Sequence, residues 1–147
     1  MVHSRDSGWF FRMGEEDISD AKILESQGGS NRNVLRLLHE AVELFLKAAI
    51  ISKGLWDGFK RTYMFHDIEA LVGALRDAGL NVPPDLFREV GACACVPRQG
   101  EASCETHTET GYSDNLDWSS IPPEGHWADI AQRTRDWVLA EFPQLRP

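Results

Sequence analysis

The sequence predicts an all-α fold, an up-and-down bundle of about five helices with a long acidic loop before the last helix. Three observations carry that expectation. Apolar residues recur at three- and four-residue intervals through most of the chain. Glycines and prolines fall where those runs stop and start. No stretch alternates apolar and polar residues with the two-residue period of a half-buried strand, and no segment repeats. At 147 residues the chain suits one domain with a substantial core.

Residues 1–8 read as a flexible tail, and residues 9–147 as a single helical domain. The first helix starts near Trp9, with Phe10, Met13, Asp17-Ile18, Ala21 and Leu24 recurring on one face. Gly28-Gly29 stops it, and Ser30 or Asn31 can cap the next. That second helix, residues 31–53, ends at Gly54. On a helical wheel Leu35, Leu38, Val42, Phe45 and Ala49 form one seam. Val34, Leu37, Ala41, Leu44 and Ala48 fill the stripe beside it. Only a narrow arc stays polar, holding Arg36, His39, Glu40, Glu43 and Lys47. A helix apolar over most of its circumference is packed on several sides, so this one belongs at the centre of the bundle.

"GLWDGFKRTYMF" is a connection. His66-Asp67 then opens a third helix, "DIEALVGALRDAG", which buries Ile68, Leu71, Val72 and Leu75. Asp67 and Glu69 suit its positive N-terminal end, and Gly79 ends it. Pro83-Pro84 mark a fourth start, with Leu86, Phe87, Val90 and Cys93 or Ala94 inward. Residues 97–125 carry Pro, Gly, Ser and Thr with six acidic residues and little periodicity. Long loops of this kind in compact domains are usually functional. The last helix follows Pro122-Pro123 and presents Trp127, Ile130, Ala131, Thr134, Val138 and Phe142 to the core.

The formal net charge of −8 excludes a broad basic footprint for duplex DNA. No apolar run approaches the roughly 20 residues needed to span a bilayer. The N-terminus lacks the pattern of a secretory signal, so a cytoplasmic location is expected and the three cysteines need not pair.

Four places could carry chemistry. His39, Glu43 and Lys47 lie four residues apart and stack along one strip of the second helix. The strip reads either as a solvated face with a weak Glu–Lys pair or as the wall of a cleft, where Lys47 holds a phosphate and Glu43 orients it. His66-Asp67 reads as a helix start or, for His66, as a general base. Cys93, Cys95, Cys104 and His107 offer four soft donors of the kind zinc prefers. Two thiols two residues apart on a helix point about 200° apart, however. No metal or other cofactor is expected, and the thiols read as buried or idle. Trp118, Trp127, Trp137 and Tyr112 could stack on bases where exposed, although Trp127 lies on a core face.

The order of these pieces resembles the HEPN-domain family, as a small prokaryotic member. "LLHEAVELFLKAAIISKG" is similar to that family's Ala-x-Glu and Lys-Ala helix. "FHDIEALVGAL" is similar to its His-Asp-Leu helix start, and "THTETGYSDNL" sits where many members carry an Arg-Tyr-Pro-Asp tetrad. The resemblance spans residues 9–142 and implies a helical bundle, often a homodimer, partnered by minimal nucleotidyltransferases in toxin–antitoxin pairs. It implies nucleotide or RNA as ligand. Many members are metal-independent ribonucleases in which an Arg, followed after four to six intervening residues by a His, neutralises phosphate charge while the His moves a proton.

This chain departs from that pattern. Arg133, Arg135 and Arg146 are the arginines after Arg98, and no His follows any of them. The loop tetrad keeps Tyr112 and Asp114 but has Gly111 for Arg and Ser113 for Pro. The resemblance therefore implies a nucleotide-associated or protein-interaction module, with Glu43, Lys47, His66, Asp67, Tyr112 and Asp114 as ligand surface. The alternative is a divergent endoribonuclease toxin drawing on His39, His66, Arg36 and Arg61, with Arg32 also available for phosphate. Enzymatic activity stays open at this level.

Overall fold

A computed structural model of the chain describes residues 6–56, 68–84 and 124–146, the side chains of residues 31, 32, 69 and 124–126 excepted. The described residues form four α-helices and one 3-10 turn, with no strand among them. Helix α1 runs Ser7–Ser26, α2 Asn31–Ser52, α3 Ile68–Asp77 and α4 Glu124–Glu141, and the 3-10 turn is Pro143–Leu145. The fourth predicted helix, beyond Pro84, and the acidic loop up to residue 123 lie outside the described residues.

Helix α1 opens at Ser7, inside the stretch read as tail. The reason is a cap rather than an apolar residue: the Asp6 carboxylate accepts from the backbone N–H of Trp9 at 2.8 Å. Ser30 caps α2 the same way, its hydroxyl accepting from Asn33 N–H at 3.3 Å. The chain leaves α2 and α3 through Gly54 and Gly79, at φ +82° and +91°, a region open to glycine but strained for other residues.

Helix α2 is the centre of the molecule and packs against α1, α3 and α4. Val34, Ala41, Val42, Phe45, Leu46, Ala48, Ala49 and Ile50 are completely or almost completely buried. Helix α3 buries the four residues its spacing predicts, Ile68, Leu71, Val72 and Leu75. Helix α4 buries five of the six predicted residues, and Leu139 as well; the sixth, Phe142, is buried just beyond its end. The Thr134 hydroxyl, fully buried, donates to the Ile130 carbonyl one turn back at 2.8 Å, which satisfies it inside the core.

The buried face of α1 is rotated slightly from the predicted one. Phe11 and Gly14 are buried, whereas Met13 is half-buried. Gly14 explains the rotation: a Cβ there would lie 2.7 Å from the Phe45 ring. The glycine lets the two backbones approach until Phe45 lies against α1, where it also meets Phe11 at a ring separation of 5.1 Å. One turn along, Asp17 of α1 meets Glu40 of α2. Residues 14 and 17 thus face 45 and 40, so α1 and α2 are antiparallel.

Helix α4 runs in the direction of α2. Its start lies by His39, through Trp127, and its later turns lie by Phe11 and Glu15, through Arg135. Arg135 Nε and Nη2 both donate to Glu15 Oε2, at 2.9 and 2.7 Å, and the guanidinium sits 5.7 Å over the Phe11 ring. A hydrogen bond from Trp137 Nε1 to the Asn81 carbonyl at 3.2 Å ties α4 to the segment after α3.

Candidate functional site

The polar arc of α2 divides. Arg36 and Glu40 are exposed, as a solvated face requires. His39, Glu43 and Lys47 are not, retaining 6%, 9% and 5% of their surface. The solvated-face reading therefore fails for the three residues that carry the proposed chemistry. Taking a carboxylate and an ammonium out of water costs several kcal/mol per ion, recovered only by tight pairing and further hydrogen bonds. Lys47 Nζ donates to Glu43 Oε2 at 2.8 Å, which supplies the pairing. Spacing explains it, because residues four apart on a helix share one strip.

His39 continues the strip by one turn. Its ring stands edge-on to Trp127 of α4, with centroids 5.6 Å apart and planes at 60°. Trp127 is fully buried, yet its indole N–H finds no acceptor among the described residues. His39, Glu43 and Lys47 each make at least one further polar, electrostatic or ring contact beyond these. The arrangement is a buried, polar line on the central helix: an imidazole, a carboxylate and an ammonium, with an aromatic donor beside the first.

Of the residues expected to form the site, the structure brings these three together. Arg61, His66, Asp67, Tyr112 and Asp114 lie outside the described residues, as do Cys93, Cys95, Cys104 and His107. Among the described residues no cluster of three His, Cys, Asp or Glu side chains could hold a metal ion. No described helix is long and apolar enough to cross a membrane.

Two polar contacts were not foreseen. The Arg135–Glu15 pair joins residues far apart in sequence, and no local pattern announces it. The Asp17–Glu40 contact had a signal: Asp17 occupies a place in the apolar recurrence of α1. An acid on a core seam must be neutralised or paired.

Comparison with known families matches the chain to the HEPN domain over residues 7–94. No curated protein and no solved structure matches the chain. The matched segment takes in α1, α2 and α3 whole, with the strip of His39, Glu43 and Lys47 on its central helix. It ends before the altered loop tetrad and before α4, so it is shorter than the span over which the motif order was read. It nonetheless covers well over half of the 147 residues, and the chain belongs to the HEPN-domain family.

Proposed function

We propose that the protein is a nucleotide- or RNA-associated HEPN module that acts by binding, in company with a nucleotidyltransferase-type partner of a toxin–antitoxin-like pair. Family membership supports the broad nucleotide or RNA association. The observation that carries the finer reading is the burial of the Lys47–Glu43 pair beside His39 and Trp127. An ammonium in a partly desolvated setting attracts a phosphate more strongly than one in open water. Glu43 holds that ammonium in place, and His66, Asp67, Tyr112 and Asp114 would complete the ligand surface, in a homodimer.

Binding is favoured over ribonuclease chemistry by the closing helix. There Arg133 lies 3.5 Å from Asp129 and Arg135 is held by Glu15, so both arginines are already matched by carboxylates. No histidine follows either one to act on a ribose hydroxyl.

The test uses a variant that removes both charges while filling the same volume, Glu43→Leu with Lys47→Met. Circular dichroism first checks that it folds. Calorimetric titration with ATP and with a short RNA, and co-purification with a co-expressed minimal nucleotidyltransferase, then report function. The expected outcome is at least a tenfold loss of ATP or RNA affinity in the folded variant. Affinity and partner capture both unchanged would remove this surface. RNA cut to cyclic phosphate ends by wild type, but left intact by His39→Gln or His66→Gln, would transfer the protein to the enzyme class.

A further inference from the structure

We infer that Asp17 and Glu40 form a proton-sharing latch that fastens α1 to α2 and loosens as the medium becomes alkaline. The inference is independent of the proposed ligand and begins with the close approach at Gly14. The Phe45 ring occupies the space a Cβ would take there, so the two antiparallel helices are drawn together one turn before Asp17. Asp17 thereby comes to meet Glu40. Its Oδ2 is shut off from solvent and has no hydrogen-bond partner among the described residues, while the carboxyl as a whole bonds with that of Glu40. Two carboxylates cannot hydrogen-bond to each other; one must carry a proton.

The surroundings favour keeping that proton. Burial is the largest influence, followed by the hydrogen bond with Glu40 and the negative charges of Glu40, Asp20 and Glu16, which together push Asp17 up to about 8. On α4 the cation turned towards α1 is Arg135, and it is engaged by Glu15 and Asp136. The 3-10 turn Pro143–Leu145, which also touches α1, has no ionisable side chain.

The direction of the pH effect follows. Asp17 in the unfolded chain loses its proton near 3.8, and in the folded chain only near 8. Between those values the folded form binds more protons. Its stability therefore falls as pH rises through that window, and the latch contributes nothing above it. Near neutral pH the latch is closed. Because Glu15, two residues away, holds Arg135, a loosened α1 also slackens the hold on α4, whose Trp127 covers His39.

The decisive measurement is carboxyl ¹³C NMR of the full chain, following Asp17 Cγ from pH 3 to pH 10 alongside thermal unfolding. Wild type is expected to give an Asp17 midpoint near 8 and a melting temperature that falls between about pH 4 and pH 8 and levels off above it. Asp17→Asn, neutral at every pH, should lose that slope and melt on the order of 5 °C above wild type at pH 9. Glu40 is exposed, so Glu40→Gln folds in any case and provides the second arm. It should lower the proton affinity of Asp17 at least tenfold. An Asp17 midpoint near 4 in wild type, or one unmoved by Glu40→Gln, would overturn the latch.

Discussion

Along one strip, helix α2 presents a cation already matched by an anion, Lys47 with Glu43, in line with a histidine resting on Trp127 of α4. Towards α1 it presents an anion, Glu40, that meets a second anion, Asp17. The same problem, an ionisable group at the edge of an apolar helix, has two answers here. One edge cancels charge with an opposite side chain on the same helix. The other cancels it with a proton shared between helices. The second answer depends on the pH of the medium. In the proposals above, one edge holds a ligand or partner and the other adjusts how firmly the bundle is closed.

Removing Lys47 tests the first answer most severely. Lys47→Ala leaves Glu43 charged and buried, and should cost about 3–5 kcal/mol in urea unfolding. The double replacement with Leu and Met should recover most of that loss. If Lys47→Ala alone costs under about 1 kcal/mol, Glu43 finds water or another cation, and the contrast between the two edges weakens.

Gly14→Val tests the second edge through its cause. The added side chain meets the Phe45 ring and should destabilise the fold by about 1–3 kcal/mol. It should also flatten the pH dependence of the melting temperature, because the two helices can no longer bring Asp17 onto Glu40. Full destabilisation with an unchanged pH slope would show that the pair meets without the close approach.

The smallest effect is expected at the contact linking the two edges. Arg135→Met removes a partly exposed ion pair and a cation over Phe11, and should cost about 1 kcal/mol. Repeating the unfolding in 1 M salt should shrink the difference, because screening weakens the wild-type pair as well.

The helices and their inward faces were legible because periodicity and capping are local. Four apolar residues of α3, and five core positions of α4 with Phe142 just beyond it, could be named from spacing alone, and the glycines at 54 and 79 end α2 and α3 as their positions suggest. What spacing cannot give is the neighbour. Arg36 and Lys47 lie only about 20° apart on the wheel of α2, yet the first is exposed and the second buried. The difference runs along the helix axis, and it is set by where other elements cross. Glu15 and Arg135 illustrate the same limit: each looks like an ordinary surface charge until the helices are placed side by side. Asp17 was half legible. Its position on a seam was visible, but the acid awaiting it on α2 was not.

The family match stops at residue 94, while α4 starts at Glu124 and seats a fully buried tryptophan and isoleucine on the central helix. The inherited motif and the folding unit therefore have different borders. A fragment trimmed to the motif would bare an oily groove along α2 where α4 had packed, and would uncover the His39 ring that Trp127 rests on. Such a piece would clump or recruit another chain to fill the gap. Helix α4, outside the matched segment, is part of the cover on which the central helix depends.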